Sequence, residues 1–544
     1  MKAACGFVFV GTLAVAAAAG QAGVIDVIYT KITGHPSAVV PGALDLSGAP
    51  EVIEFRDIRN IALSPDGTQW LLDATTQVGA VAQSNRDSIY LKGSGGLGTM
   101  FLQEGQVAIG GNAVDYISFM PSGFGRFNDN NEIAIGIRAR NVQDGTTSSA
   151  NPSDGQRVLR WSQGGGFSLA LKQGNAYSGA TVGAVVGNSV SSFHLLNDGS
   201  VGAADTTVNG SSTVHILSYT AGVSNPATFK QRNVSTVLGL DGTTVHTWGG
   251  FSTTGTVDFY TTPDGAHWYA KGTIQGAAAS EDTIFAYDGQ VRLREGHAIP
   301  DSSPSILVGD IQQCFAAGSH WIARGRDNSS TAATAPDFVV VDGVVVAATG
   351  MPIIAGSTET WGDTFYAVSI NADGDYVIAG NTSDADPARD NVIVFNSYSV
   401  IAREGDMVDL DRDGIHDDDA FLGRASGAAF DANDVHIGAD DMVYFIGNIK
   451  NGAGVDLGIT PTAFGGPQAF MRVQGMFHLD CGPNDFDGDG DAGTDFDIEA
   501  FFACLAGSCC PTCFPGGADF NGDGDSGTDA DIEAFFRVLA GGTC

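Results

Sequence analysis

Asn371-Ala372-Asp373-Gly374-Asp375-Tyr376-Val377-Ile378 reads as a tight turn followed at once by a short apolar strand. Asn and Asp bond their own backbone in turns, and Gly allows the positive φ that many turns need. The same word recurs along the chain. It stands as Ser64-Pro65-Asp66-Gly67 before Trp70-Leu71-Leu72, Asn128-Asp129-Asn130-Asn131 before Ile133-Ala134-Ile135, and Asn197-Asp198-Gly199. It returns as Pro263-Asp264-Gly265 before Trp268-Tyr269-Ala270, as Gly318 before Trp321-Ile322-Ala323, and as Asp440-Asp441 before Val443-Tyr444-Phe445. Seven copies in roughly 450 residues give a period of about 64.

A second word fills the interval. Ile284-Phe285-Ala286-Tyr287 runs into Asp288-Gly289, Val339-Val340-Val341 into Asp342-Gly343, and Val392-Ile393-Val394-Phe395 into Asn396-Ser397. The turn positions 288, 342 and 396 are 54 apart. Asp-Gly between apolar runs is a type I′ hairpin signal. After each turn a short strand ends on Gly296, Gly350 or Gly405, with earlier copies at Gly105 and Gly174. About sixty residues suit a four-stranded sheet with its loops, and radial repetition of such sheets leaves few exposed edges. The expected fold is therefore mainly β, a seven-bladed β-propeller over residues 23–478. A β-sandwich pair offers no reason for seven copies, and solenoid repeats are usually shorter.

These words also carry a resemblance. Ser64-Pro65-Asp66-Gly67 resembles the start of a TolB-type or WD40-like propeller repeat. Asn371 to Ile378 resembles the Asn-x-x-Gly-x-x-Ala-Phe tandem repeat of secreted, surface-anchored bacterial proteins with no assigned activity.

Composition narrows the function. The 544 residues hold 26 Lys+Arg against 62 Asp+Glu, a net charge of −36, which excludes binding of a nucleic-acid backbone by a basic surface. Hydrophobic residues at 43% exclude a disordered acidic tail. Met1-Lys2, an apolar run from Ala3 to Ala19, and small residues up to Ala22 read as a secretory signal at residues 1–22, cleaved after Ala22. The expected mature protein is secreted or at the cell surface, with no membrane span, in a context that permits disulfides. Cys314 stands alone and is expected to be a buried thiol. Cys481, Cys504, Cys509, Cys510, Cys513 and Cys544 allow 15 pairings that the sequence does not choose between. Cys510-Pro-Thr-Cys513 lacks a second ligand pair for zinc.

Residues 479–544 read as a separate module. From Asp485 the chain runs DFDGDGDAGTDFDIEAFFACLAG, and from Asp519 DFNGDGDSGTDADIEAFFRVLAG, an offset of 34. A D-x-[DN]-x-D-G loop presents hard oxygen ligands to Ca²⁺, with Gly at the sixth position for the sharp turn. The candidate ligands are Asp485, Asp487, Asp489 and Asp491, then Asp519, Asn521, Asp523 and Asp525. The closing acid is displaced from position 12, and Asp497 and Asp531 are preferred to Asp495 and Asp529. Four acids between Asp485 and Asp491 repel one another unless a cation neutralises them. Ile498, Phe501, Phe502 and Leu505, and likewise Ile532, Phe535, Phe536 and Leu539, fall at helix period. No helix is expected ahead of either loop.

Loop plus exiting helix, twice, resembles a dockerin domain, in particular the Gly/Cys-rich dockerin-like, duplicated EF-hand-like anchors of bacterial secreted proteins. The resemblance implies Ca²⁺ as cofactor and a cohesin-like or cell-surface anchoring partner. The loop closure and the six Cys depart from the usual pattern. A third acidic loop, Asp409, Asp411, Asp413 and Asp417, has ligand spacing and resembles a thrombospondin-type-3 calcium loop.

Catalytic motifs are scarce. Gly93-Ser94-Gly95-Gly96-Leu97-Gly98 matches G-x-G-x-x-G by letter but sits at a hairpin turn with no βαβ unit around it. His267 and His320 recur before Trp268 and Trp321, which reads as architecture. The expected function is an exported, non-catalytic propeller that binds or displays, anchored through its calcium module, with a carbohydrate among its candidate ligands. The alternative is a propeller glycosidase or lyase delivered to a polysaccharide-degrading assembly. An enzyme is expected to cluster carboxylates, Arg and Tyr at one mouth of the propeller.

Overall fold

Three hairpins carry the residues that a type I′ turn demands, and in the computed structural model of this chain they adopt it. Asp288 and Gly289 have φ of 50° and 78°, Asp342 and Gly343 50° and 92°, and Asn396 and Ser397 49° and 52°. The turn side chains have a second task. Asp288, Asp342 and Asn396 accept the N–H groups of Trp268, Trp321 and Tyr376 at 3.0, 2.8 and 2.8 Å, locking each hairpin onto the start of the blade's second strand. His267 and His320 pair with the same carboxylates through Nδ1 at 2.7 and 2.6 Å. Those two histidines are architecture, as their spacing suggests.

The described residues are 24–78, 81–82, 87–106, 116–119, 124–140, 155–174, 190–205, 215–219, 227–251, 258–300, 302, 305–328, 336–413, 415, 418–458, 466–475, 486–487, 493–510, 518, 520 and 527–539. The expected signal at 1–22 lies outside them. Two compact units result, Met1–Gly475 and Met476–Cys544.

The first unit holds seven mainly antiparallel sheets in chain order. Their first strands are Glu54–Leu63, Arg126–Phe127, Val190–Leu195, Asp258–Thr261, Val308–Ala317, Trp361–Ile370 and Phe430–Ile437. Successive first strands touch, the fourth and fifth through Tyr260 against Phe315, and Phe430–Ile437 packs back against Glu54–Leu63, so the sheets surround a common axis. Ile25–Thr30 pairs antiparallel with Gln468–Gln474, giving the seventh sheet its outer strand from the start of the chain. Arg472 and Asp26 seal that closure with an ion pair at 2.8 Å. The chain is a seven-bladed β-propeller followed by a small two-helix unit. Short additions depart from the regular plan: the hairpin Thr236–Leu238 and Val245–Gly250 joins the fourth sheet, and Val408–Asp409 pairs parallel with Ile25–Thr30 in the seventh.

Stacked blades bury both faces of their middle strands, which is why those strands are apolar without alternation. Asn391–Phe395 is buried at every position, and Phe338, Val339 and Val340 are fully buried. Cys314 is a buried thiol in the core that also holds Phe338 and Trp321.

The glycine run at 93–98 has a packing reason. Trp70 is fully buried, lies against this hairpin, and donates through Nε1 to Gly95 O at 2.8 Å. A Cβ on Gly98 would stand 2.4 Å from Trp70 Cη2 and 2.8 Å from the Tyr29 hydroxyl, and one on Gly93 would stand 2.1 Å from Trp70 Cζ2. A rigid indole cannot step aside as a lysine tip can. Gly98→Ala is therefore expected to destabilise the propeller by about 1–3 kcal/mol. Gly96→Ala, which meets only the mobile end of Arg412, is the control. Equal midpoints for the two variants in denaturant would overturn the account.

In the second unit, α1 (Asp495–Leu505) and α2 (Asp529–Leu539) pack around Phe486, Phe501, Phe520 and Phe535, all fully buried. Phe501 and Phe535 stack at 4.1 Å between centroids. The apolar stripe is narrower than the helix period suggests, since Phe502 and Phe536 are each 44% exposed. Cys504 pairs with Cys509, and Cys510 is also disulfide-bonded, which removes it as a zinc ligand.

Candidate functional site

The recurrent turn joins the first and second strands of each blade, and in the folded chain it forms a belt around the axis. The N–H of the fourth turn residue bonds the C=O of the first in Ser64–Gly67, Asn128–Asn131, Leu196–Gly199, Thr262–Gly265, Asn371–Gly374 and Gly438–Asp441. Each fourth residue has positive φ, from 57° at Asn131 and Asp441 to 91° at Gly374, which restricts it to Gly, Asn or Asp. The belt is tied across blades. Asn128 Nδ2 donates to Leu196 O at 3.1 Å, Asn197 Nδ2 to Asp129 Oδ2 at 2.6 Å, and Asn371 Nδ2 to Gly438 O at 3.1 Å.

Inside the belt lies an open funnel. Its wall is set by register. Counting back two residues from the first turn residue gives Ala62, Arg126, Tyr260, Phe315, Ser369 and His436 in six blades, and all six line the funnel. The third blade places His194 there, which packs instead on Phe259 at 5.4 Å between ring centroids. Tyr260 and Phe315 lie nearly parallel, 16° apart with centroids at 6.4 Å, and His436 meets Phe315 at 6.2 Å. Arg126 forms no hydrogen bond or ion pair with any described residue.

Burial sets the protonation states here. It pushes the Tyr260 phenol up to about 12, so the group is a neutral donor, although Arg126 works against the shift. It pushes the His436 imidazole down to about 3, with the Arg126 charge adding to the effect, so the ring is neutral at pH 7. His436 Nε2 is buried without a hydrogen-bond partner among the described residues.

The acids at the mouth belong to the turns. Asp66 Oδ1 accepts Ser64 Oγ and Thr68 N at 2.5 and 3.0 Å, and its Oδ2 accepts Asn131 Nδ2 at 2.9 Å. Asp264 Oδ1 accepts Thr262 Oγ1 at 2.6 Å and Ala266 N at 2.9 Å. Burial opposes ionisation of Asp264, but these bonds outweigh it and hold the carboxyl below its usual range. The raised acids are not among the funnel's lining residues, although the charge of Arg126 reaches Asp434 and lowers it. Burial raises Asp434, which accepts Ile61 N, and Asp73, which is tied to Arg59 at 2.6 Å.

Of the candidate calcium ligands, Asp485, Asp489, Asp491, Asp519, Asn521, Asp523, Asp525 and Asp417 lie outside the described residues. Asp497 is fully buried, and both of its oxygens serve the loop. Oδ1 accepts Phe486 N at 2.7 Å and Asp487 N at 3.3 Å, and Oδ2 accepts Thr494 N at 2.7 Å and Thr494 Oγ1 at 3.0 Å. This is a capping box that closes the loop onto the first turn of α1. Asp531 repeats it with Thr528, at 2.7 Å to N and 2.9 Å to Oγ1. In both loops the closing acid ties the loop to the first turn of its helix. In the propeller, Asp409, Asp411 and Asp413 bring one oxygen each within 4.8 Å of one another. Asp418 Oδ2 accepts Leu410 N at 2.7 Å in the same loop.

No protein-family model matches the chain, and no curated protein does. Among solved structures it is similar to the Dos1 propeller, at 10% identity and a TM-score of 0.34, over 77% of this chain and 93% of that one. It is similar to the β-propeller domain of the trilobed protease from Pyrococcus furiosus, at 6% identity and 0.35, over 74% and 94%. It is also similar to a sialidase from Trypanosoma rangeli, at 9% identity and 0.34, over 89% and 62%.

Proposed function

We propose that the protein is an exported, non-catalytic binding protein whose propeller holds a small ligand in its central funnel. Its C-terminal unit is then a calcium-dependent, dockerin-like module that anchors it to a cell surface or scaffold. One observation carries the first part: each acid lining the funnel has one oxygen tied into the belt, Asp264 Oδ1 in its own turn and Asp129 Oδ2 to Asn197 of the next blade. A general acid in glycoside hydrolysis needs a raised pKa and a second carboxylate at a fixed distance. Asp264 is shifted the other way. What remains is a concave pocket with apolar walls and a few convergent polar groups, the usual form of a binding site.

The clustering of Arg126, Tyr260, Asp129 and Asp264 in one funnel favours a second reading, a carbohydrate-active enzyme. A reducing-end assay on the full chain with a panel of polysaccharides separates the two. No product is expected. Release of product that Tyr260→Phe abolishes would replace the binding reading with the enzyme.

The calcium reading rests on the acid-dense loops and on their duplicated sequence. In the full chain under oxidising conditions, Ca²⁺ added after chelator treatment is expected to raise the melting transition of the C-terminal helices. No heat of binding and an unchanged transition would sink it.

A further inference from the structure

The six side chains at the inner register position are chemically lopsided. Tyr260 and Phe315 present an apolar wall from neighbouring blades, while Arg126 stands in the second blade beside the small Ala62 of the first. Arg126 brings a guanidinium that forms no ion pair with a carboxylate among the described residues, although its charge reaches the buried Asp434. Five donors in a planar fork match a carboxylate in two parallel bonds. Around that cation the funnel offers hydroxyl-directed groups. The Tyr260 hydroxyl has no partner among the described residues, and neither do Asp129 Oδ1 and Asp264 Oδ2. These acids accept hydroxyl protons but repel a second anion, which limits the ligand to one acidic group.

We infer that the funnel binds a hexuronate, a sugar carrying one carboxylate, with that carboxylate on Arg126 and its hydroxyls on Tyr260, Asp129 and Asp264. The C–H face of the ring lies on Phe315. The inference rests on the reading of the funnel as a binding site and names what it takes. A neutral hexose leaves Arg126 unmatched. An aromatic carboxylate matches Arg126 and Phe315 but offers nothing to the two acids or to the phenol.

Calorimetric titration of the full chain with glucuronate, glucose and benzoate tests this. Glucuronate is expected to bind at least about 10-fold more tightly than either of the others, the scale of one good charge-assisted contact. Arg126→Gln is expected to erase that preference, and Arg126→Lys to restore part of it. Since Arg126 bonds no described residue, neither variant strips a partner from the fold. Glucose binding as tightly as glucuronate, or an unchanged preference in Arg126→Gln, overturns the role of Arg126. Benzoate matching glucuronate overturns the sugar. No binding of any of the three overturns the inference as a whole. Cleavage of a glucuronate-containing oligomer in the same samples overturns the non-catalytic reading and leaves the ligand class standing.

Discussion

Arg324→Leu is expected to lower the unfolding free energy of the propeller by about 4 kcal/mol, from several buried acceptors left unsatisfied at about 1–3 kcal/mol each. Arg324 stands in the second strand of the fifth blade, His320–Asp327, and is only 7% exposed. Its guanidinium ties three blades. Nε donates to Gln313 Oε1 at 3.1 Å, and Nη1 to Gln312 Oε1 in the same blade. Nη1 also donates to Phe365 O of the sixth blade at 2.7 Å, and Nη2 to Asn433 Oδ1 of the seventh at 2.9 Å. The acceptors exist because the first strands are irregular there, with register shifts between Ile311 and Gln313 and between Phe365 and Ala367. A bulge leaves carbonyls without a ladder partner, and a buried cation satisfies them. The fourth blade does the same with Lys271, which donates to Ile311 O and Gln312 O at 3.3 and 3.1 Å. Leucine fills the volume of Arg324 and supplies none of these bonds. Arg324→Lys, a point donor in place of a fork, is expected to recover less than half. Denaturant unfolding with a constant slope measures both, and a loss under about 1 kcal/mol for Arg324→Leu would show the staple to be dispensable.

The blade plan was legible because each turn has local chemistry. Asp288-Gly289 and Asn371 to Gly374 act through their own φ angles and through side chains that reach a few residues away. Closure was not legible, because Ile25–Thr30 finds its partner in Gln468–Gln474. The Arg472–Asp26 contact spans 446 residues, and a single sequence carries no signal at that range. The funnel residues lay between these cases. Arg126, Tyr260, Phe315 and His436 look unrelated in the sequence, yet each stands two residues before its turn. Aligning the repeats on the turn and reading back would have placed all of them in one ring. Asp497 shows a different limit. An acid at the start of a helix suits both a metal and a capping box, and the sequence did not show the bonds it accepts from Phe486, Asp487 and Thr494.

Lys450→Met should destabilise the propeller by about 3–5 kcal/mol at pH 7, the loss expected when one partner of a buried ion pair is removed. Lys450 Nζ lies 2.9 Å from Glu404 Oε1, and Asn391 Nδ2 donates to Glu404 Oε2 at 2.9 Å. Glu404 is 1% exposed at the end of the sixth blade, and Lys450 is 9% exposed in the seventh, so the pair joins two blades. Burial raises the Glu404 carboxyl above its ordinary 4.5, and the hydrogen bond and charge of Lys450 pull it back. A carboxyl raised in the folded state binds a proton that the unfolded chain has released, so stability falls as pH rises from 4.5 through the folded pKa. Without Lys450 that pKa climbs further and the fall steepens. The penalty is therefore largest near neutrality and shrinks below pH 4.5, where Glu404 is protonated in both states. Glu404→Gln added to Lys450→Met removes the stranded charge and is expected to flatten the difference across pH. Melting temperatures of wild type and both variants between about pH 4 and pH 8 decide it. A penalty that stays constant with pH would mean that Lys450 contributes packing alone.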